Sequence, residues 1–223
     1  MTANAPRSAT ASTSSRRHWL RTASRGPLAL ALAGALTGLA ACDRPGGAPA
    51  QAALKFNAVD ITGAEYAREF SMPDAEGKLR TLADFKGKVV VIFFGYTQCP
   101  DVCPTTMVEM AEARKLMGPA GDQVQVIFVT VDPERDTPDL LRNYVKNFGA
   151  DNVALRGSPE QLKAMAREFK VIYAKVPGRT DDSYTMDHTA GTYVIDPQGR
   201  VRLFMRYGGG PKPVAEDLLK LLK

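Results

Sequence analysis

The sequence predicts an α/β fold in which a central mixed sheet is flanked by helices. The segment 88–94 is a continuous apolar run rich in β-branched residues, which is typical of a strand buried on both faces, and 124–131 is predicted to be a second buried strand. Segments with helical spacing and capping signals alternate with these strands. Near the C-terminus, two further apolar segments are separated by a tight turn, which indicates an antiparallel hairpin. Parallel strands joined by helices, followed by a hairpin and a last helix, make up a thioredoxin-like fold.

The first part of the folded region predicts a β-hairpin, a buried strand and a helix. Residues 69–81 form the hairpin around a turn at 75–78, as an N-terminal extension of the fold. The strand 88–94 leads into a loop that contains two cysteines. A helix is predicted over 104–117, because apolar residues recur there at helical spacing and Pro104 suits the first helical position.

Two helices in the second part carry start signals. Thr137 and Ser158 each precede a proline and are predicted N-caps, and Gln161 completes a capping box with Ser158. The remaining predicted elements are strands over 171–176, 191–195 and 201–206, with the last two joined by a turn at 196–199, and an amphipathic helix over 212–222.

The N-terminus predicts an export signal. Residues 1–41 contain five arginines and no acidic residue, and their apolar segment is too short and too rich in Ala and Gly for a typical spanning helix. The segment ends in Leu39-Ala40-Ala41-Cys42, which resembles the lipobox of bacterial lipoproteins, where the cysteine receives the lipid and becomes the first mature residue. Ordinary cleavage after Ala41, which leaves Cys42 as a free thiol, is the alternative.

The export route stays open on sequence grounds. Residues 15–21 contain two adjacent arginines and resemble a twin-arginine signal, but a merely basic segment would look similar. Residues 42–53 are predicted to be a flexible tether, because they are rich in Pro, Gly and Ala. Residues 54–223 are long enough for one domain with a full hydrophobic core.

The charge balance gives no support for nucleic-acid binding. The chain has 29 Lys and Arg against 24 Asp and Glu. Since residues 1–41 hold five arginines and no acidic residue, the mature part has 24 residues of each sign and a net charge of zero. The basic excess therefore belongs to the targeting segment, and no nucleic-acid partner is expected.

Two cysteines and one histidine are the main candidates for chemistry. Cys99 and Cys103 lie in F-F-G-Y-T-Q-C-P-D-V-C-P, and His188 lies in Y-T-M-D-H-T-A-G. Two thiolates and an imidazole suit Cu(I) and can also hold Cu(II). We expect Cys103 at the N-terminus of the helix, where the helix dipole favours the thiolate.

The same two thiols can close a disulfide, so metal or electrons could be the cargo. Three residues separate Cys99 from Cys103, which is one more than in the C-x-x-C of thioredoxins. An inert structural disulfide is the simplest alternative, although it would close a very small loop and stabilise the fold little. His188 precedes the strand 191–195, and in a thioredoxin-like fold the loop at this point faces the cysteines.

Three motifs in order are similar to those of the Sco/SenC family of copper-binding proteins, which assist assembly of cytochrome c oxidase. They are F-F-G-Y-T-Q-C-P-D-V-C-P-T-T, V-T-V-D-P-E-R-D-T-P and D-H-T-A-G-T-Y-V-I-D-P-Q-G. The resemblance covers about residues 68–209. It implies that Cys99, Cys103 and His188 are copper ligands and that Asp132 is an acidic residue near the site, where it would orient the ligands or balance their charge. A turn aspartate beside a proline is the alternative for Asp132.

The resemblance implies a copper metallochaperone with one copper ion, Cu(I) or Cu(II), per domain. Its expected partners are cytochrome c oxidase subunit II, or another client with a copper site, and an upstream copper donor. A lipid on Cys42 would anchor it to the outer face of the cytoplasmic membrane. The alternative is a membrane-anchored thiol–disulfide oxidoreductase that keeps client cysteines reduced through Cys99 and Cys103.

Overall fold

The computed structural model describes residues 54–180 and 183–223. The helices within these residues are α1 (Val102–Leu116), α2 (Pro138–Lys146), α3 (Pro159–Glu168) and α4 (Pro211–Leu221). The strands are β1 (Val59–Asp60), β2 (Ser71–Pro73), β3 (Leu79–Thr81), β4 (Val89–Gly95), β5 (Val124–Thr130), β6 (Val153–Leu155), β7 (Tyr173–Pro177), β8 (Tyr184–His188), β9 (Thr192–Ile195) and β10 (Val201–Met205).

A six-stranded mixed sheet forms the centre of the domain, in the order β1-β10-β9-β4-β5-β6. The strands β4, β5 and β6 are parallel, whereas β9 and β10 run antiparallel to their neighbours. Every residue of β4 and β5 is buried, which explains why both strands are predominantly apolar; the exceptions in β5 are the buried polar residues Gln125 and Thr130. The predicted thioredoxin-like arrangement is therefore confirmed, and β1 and β6 are short strands that the sequence analysis did not locate.

The predicted N-terminal β-hairpin is also confirmed. The strands β2 and β3 pair with each other in a separate two-stranded sheet. The side chain of Asp74 closes the turn by accepting hydrogen bonds from the backbone N–H groups of Glu76 at 3.0 Å and Lys78 at 2.8 Å. Gly77 has a φ of +82°, a conformation that glycine adopts without steric cost.

The predicted helix caps form as expected, but the helix after the cysteines begins earlier than predicted. Thr137 accepts a hydrogen bond from the N–H of Leu140, and Ser158 forms the capping box with Gln161. The helix α1 starts at Val102, two residues before Pro104. Proline is tolerated there, because the N–H groups of the first helical turn have no partner within the helix.

The segment before β9 was expected to be a loop, and this expectation is wrong. Residues Tyr184–His188 form the strand β8, which pairs with β7 in a separate antiparallel hairpin. We call β7 and β8 together the histidine hairpin, because His188 is the last residue of β8. The strand β8 has only five residues, and a strand this short shows only a weak alternation of apolar and polar residues in the sequence.

The predictions for the N-terminus lie outside the described residues. They concern the signal at 1–41, the lipid-accepting Cys42 and the tether at 42–53. Within residues 54–180 and 183–223, the helices are too short or too polar to cross a membrane.

Candidate metal site

The three predicted ligands converge at one end of the central sheet. One donor atom from each of Cys99, Cys103 and His188 lies within 4.8 Å of the other two. The Sγ of Cys103 is 3.4 Å from Nε2 of His188, and the N–H of Cys103 donates a hydrogen bond to Sγ of Cys99 at 3.4 Å. Both cysteines are free thiols. The arrangement can hold one metal ion between two sulfurs and a nitrogen, or close a disulfide.

The strand β4 and the helix α1 position the two sulfurs. The strand ends at Gly95, and Cys99 is half-buried in the loop that follows. Cys103 is fully buried in the first turn of α1. A Cβ atom at Gly95 would lie only 2.9 Å from Sγ of Cys103 and 2.8 Å from the ring of Phe93. The backbone at Gly95 thus approaches the sulfur more closely than any side chain would allow.

The histidine hairpin brings His188 to the cysteines from a different part of the chain. Nδ1 of His188 lies 3.2 Å from the carbonyl oxygen of Thr189, while Nε2 faces Cys103. An Nδ1–H that donates to this carbonyl leaves a lone pair on Nε2 for a ligand. The imidazole packs edge-on against the rings of Phe93 and Tyr96, with centroids 5.9 and 6.0 Å away. The resulting burial lowers the pKa of His188, so the ring is neutral at pH 7.

Burial has the opposite effect on the protonation that we expected for Cys103. Loss of solvent raises the pKa of the Cys103 thiol far above its usual value, and the neighbouring Cys99 adds to this shift. The expectation that the helix N-terminus favours a thiolate at Cys103 is therefore wrong for the metal-free protein. A bound metal ion would have to displace the proton of Cys103.

Asp136 organises the loop before Cys99, and the sequence analysis missed it. Its carboxylate is fully buried and accepts hydrogen bonds from the backbone and the hydroxyl of Thr97 and from the hydroxyl of Thr130. These bonds connect the loop to the end of β5. Burial raises the pKa of Asp136. Asp136 is the second aspartate of the motif V-D-P-E-R-D, and a second acidic residue in that motif could have marked it as a candidate for a role at the site.

Asp132 is buried and contacts the histidine hairpin. Its carboxylate forms an ion pair with Arg135 and accepts a hydrogen bond from the hydroxyl of Tyr184 at 2.9 Å. Arg135 also donates to the backbone carbonyl of Tyr184 at 2.9 Å, and its guanidinium lies 3.6 Å from the centre of the Tyr184 ring. The contacts of the Asp132 carboxylate therefore lead to the strand that carries His188.

Fold and site together define a class of protein. It is a thioredoxin-like domain in which a C-x-x-x-C pair and a histidine from a later strand form one group that could bind a metal. The SCO1/SenC family profile matches residues 59–223. The chain therefore belongs to the SCO1/SenC family.

Individual relatives agree with this assignment. ScoI of Bradyrhizobium japonicum, solved with copper bound, is 41% identical, with a TM-score of 0.62 over 69% of this chain and 97% of that one. Apo Sco1 of Thermus thermophilus, solved in solution, is 38% identical, with a TM-score of 0.68 over 76% of this chain and 99% of that one. An SCO2-like protein of Rickettsia felis is 36% identical over 151 residues, which are 67% of this chain and 74% of the relative.

Proposed function

We propose that this protein binds one copper ion through Cys99, Cys103 and His188 and assists assembly of the binuclear copper site of cytochrome c oxidase. The observation that carries the proposal is the convergence of these three donors within 4.8 Å from two separate parts of the chain. Thiolate sulfur favours Cu(I), and the added imidazole nitrogen makes Cu(II) acceptable. The copper-bound ScoI of Bradyrhizobium japonicum, a relative at 41% identity, supports this choice of metal.

Copper is the cargo in this proposal, and the three ligand side chains differ in how accessible they are to a partner protein. Cys99 and His188 are each only partly buried, so a donor or client protein can reach them first. Cys103 is fully buried and forms the inner side of the site, away from solvent. A donor would deliver copper to Cys99, and loss of the Cys103 proton would complete the binding by both sulfurs. The client would remove copper by the reverse order of ligand exchange.

Metal titration of the reduced and the oxidised protein tests the ligand set. The reduced protein should bind one copper ion, whereas a disulfide between Cys99 and Cys103 should abolish binding. Cys99→Ser and Cys103→Ser should each weaken binding of both oxidation states. His188→Ala should weaken Cu(II) far more than Cu(I), because Cu(II) prefers a nitrogen donor. Unchanged stoichiometry in the oxidised protein would contradict the ligand set.

A thiol–disulfide oxidoreductase is the second candidate function, because the two sulfurs are close together and free. In that reaction one thiolate attacks a client disulfide, and the other cysteine resolves the mixed disulfide. The client gains two thiols, and this protein is left with a Cys99–Cys103 disulfide. No step of this exchange requires an imidazole ligand.

Complementation of cells that lack this protein separates the two functions. If copper is the cargo, Cys99→Ser, Cys103→Ser and His188→Ala should all fail to restore oxidase activity at low copper, and added copper should partly rescue all three. If electrons are the cargo, His188→Ala should act almost as the wild type, and a small-molecule reductant should rescue the cysteine variants. Normal oxidase assembly with His188→Ala at limiting copper would refute the chaperone function.

We also propose that the protein is exported and anchored on the outer face of the cytoplasmic membrane by a lipid on Cys42. The proposal rests on Leu39-Ala40-Ala41-Cys42 at the end of an apolar segment. Mass spectrometry of the purified native protein should find a lipidated N-terminal Cys42. Cys42→Ala should release the protein or leave it unprocessed, while the isolated domain should bind copper normally. An unmodified mature chain that begins before residue 42 would rule out the anchor.

A further inference from the structure

We propose that Arg135 and Tyr184 are positioning residues for His188 and that they determine whether the site holds Cu(II) as well as Cu(I). Both would act through the placement of the histidine hairpin. The inference rests on the proposed copper-binding function and deepens it, because it separates the supports of the nitrogen ligand from those of the sulfur ligands.

The site is built from two parts that are not joined by backbone pairing among the described residues. Cys99 and Cys103 belong to the loop and helix that follow β4 in the central sheet. His188 belongs to the histidine hairpin, whose two strands pair only with each other. His188 is joined by residues 189–191 to β9, which pairs with β4. The distance between Nε2 of His188 and the sulfurs therefore depends on this short link and on side-chain contacts between the hairpin and the body of the domain.

The inner face of β8 makes three such contacts. Tyr184, Met186 and His188 alternate along the strand and thus point to the same face. Met186 is buried in the hydrophobic core, and His188 packs on Phe93 and Tyr96. Tyr184 lies four residues from His188, about 13 Å along the strand. Its contact with the body therefore controls the tilt of the strand at the end remote from the ligand.

Arg135 and Asp132 contact Tyr184 at three groups, which are its hydroxyl, its backbone carbonyl and its ring. Asp132 accepts a hydrogen bond from its hydroxyl, Arg135 donates to its backbone carbonyl, and the central carbon of the guanidinium lies 3.6 Å from the centre of its ring. Burial, reinforced by Asp132, raises the pKa of Tyr184 to about 12, so its hydroxyl is a donor at neutral pH.

The guanidinium of Arg135 is suited to this contact in a way that a lysine ammonium is not. It combines a planar stacking surface with donors in two directions, toward Asp132 and toward the Tyr184 carbonyl. Its Nη2 is buried without a hydrogen-bond partner in the part of the chain that the structure describes. The guanidinium also faces the Tyr184 ring, and the ring attracts a cation in this position.

Weakening the contacts of Arg135 and Asp132 with Tyr184 should affect the binding of Cu(I) and Cu(II) differently. A tilted hairpin moves the imidazole, but it leaves both sulfurs on the loop and on α1. Two thiolates are sufficient for Cu(I), whereas Cu(II) needs the nitrogen donor. A change at Arg135 or Tyr184 should therefore resemble a weak version of His188→Ala.

Two conservative variants test the inference in the purified, reduced protein. Tyr184→Phe removes the hydroxyl and keeps the ring. Arg135→Lys keeps the positive charge and removes the planar guanidinium group. Mutation of residues that support metal ligands typically lowers the affinity for the metal by about 10- to 100-fold. We expect a loss of this size for Cu(II), a weaker sulfur-to-Cu(II) charge-transfer band, and less than about a threefold change for Cu(I).

Glu134→Gln is the matched control. Glu134 also joins the body to the hairpin, through an ion pair with Lys175, but both side chains are exposed and such pairs contribute little. This variant should bind both oxidation states as the wild type does. In a His188→Ala background, Tyr184→Phe should cause no further loss of Cu(II) affinity, because the ligand that it positions is already absent.

Three results would overturn the inference. They are an equal loss of Cu(I) and Cu(II) affinity, an effect of Tyr184→Phe that persists in the His188→Ala background, and Cu(II) binding by both variants that matches the control. Absence of copper binding by the wild type would overturn the proposed function itself. A selective Cu(II) loss in His188→Ala without any loss in Tyr184→Phe and Arg135→Lys would overturn only the inference.

Discussion

Gly95→Ala offers a direct test of how the fold positions the buried sulfur. An added Cβ would lie 2.9 Å from Sγ of Cys103, 2.8 Å from the ring of Phe93 and 3.0 Å from the ring of Phe128. Ordinary contact begins at 3.4 Å, so the sulfur would have to move by about 0.5 Å. Overpacking of this kind costs about 1–3 kcal/mol. For a domain of this size, the melting temperature should fall by about 2–12 °C.

The effect on copper follows from where the strain is released. In the metal-free variant, Cys103 can shift away from the new methyl group. Copper binding would pull the sulfur back toward its original position and restore the strain. The contacts with the rings of Phe93 and Phe128 persist without copper and account for the lower melting temperature of the metal-free variant. The contact with Cys103 is restored only on copper binding. At about 1–3 kcal/mol for that contact, the affinity should fall by a factor of between about five and 150. Copper titration and thermal unfolding of the same preparations measure both effects.

Gly157→Ala is the control for a purely structural effect. Its added Cβ would lie 2.9 Å from Cβ of Gln161 and 3.1 Å from Cγ of Met72, neither of which is a donor of the site. It should destabilise the domain to a similar degree without changing copper affinity. If Gly95→Ala is destabilised but binds copper as tightly as Gly157→Ala, the contact with Gly95 does not set the position of the sulfur.

Three further predictions concern the scaffold. Thr97→Val removes the hydroxyl that donates to Asp136 and leaves a buried carboxylate with one partner fewer, so it should destabilise the domain by about 1–3 kcal/mol in urea unfolding and weaken copper binding. Ser158→Ala removes an N-cap and should cost about 1 kcal/mol with copper affinity unchanged; a change in affinity would contradict this assignment. Burial alone would raise the pKa of Asp196, but hydrogen bonds from Arg200 and Arg202 together outweigh it and lower the pKa. The stability gained by ionisation is therefore present above the unfolded pKa and is lost as the pH falls through the folded pKa. Asp196→Asn should therefore be less stable than the wild type at pH 7, and the difference should shrink toward pH 3.

Local signals explain most of the fold prediction. The apolar segments that became β4 and β5 are buried on both faces, so their composition alone identifies them. The caps at Thr137 and Ser158 depend on residues no more than three positions away, and both form as predicted. The strand β8 was mistaken for a loop because its five residues carry only a weak alternating pattern, with a single buried residue, Met186.

At the site, the sequence likewise reveals the chemistry of the residues but not their environment in the folded protein. Cys99, Cys103 and His188 could be predicted as candidate ligands because few side chains bind soft metals and these three lie in distinctive motifs, and the structure groups their donor atoms. The importance of Gly95 depends on a close approach to Cys103, so it could not be recognised before the packing was known. The motif V-D-P-E-R-D offers Asp136 as a second acidic candidate, but its three hydrogen bonds are visible only in the structure. The protonation of Cys103 was predicted wrongly because helix position was visible in the sequence and burial was not.

The sequence by itself determined which donors this protein has, the family to which they point and the alternation of strands and helices, because these properties reside in residue identity and short-range spacing. Only the tertiary structure decided that Nε2 of His188 lies 3.4 Å from a sulfur 85 residues earlier, and that Arg135 and Asp132 hold the strand that brings it there. The physical reason is that distances between remote segments, and the exclusion of water around them, arise from packing of the whole domain.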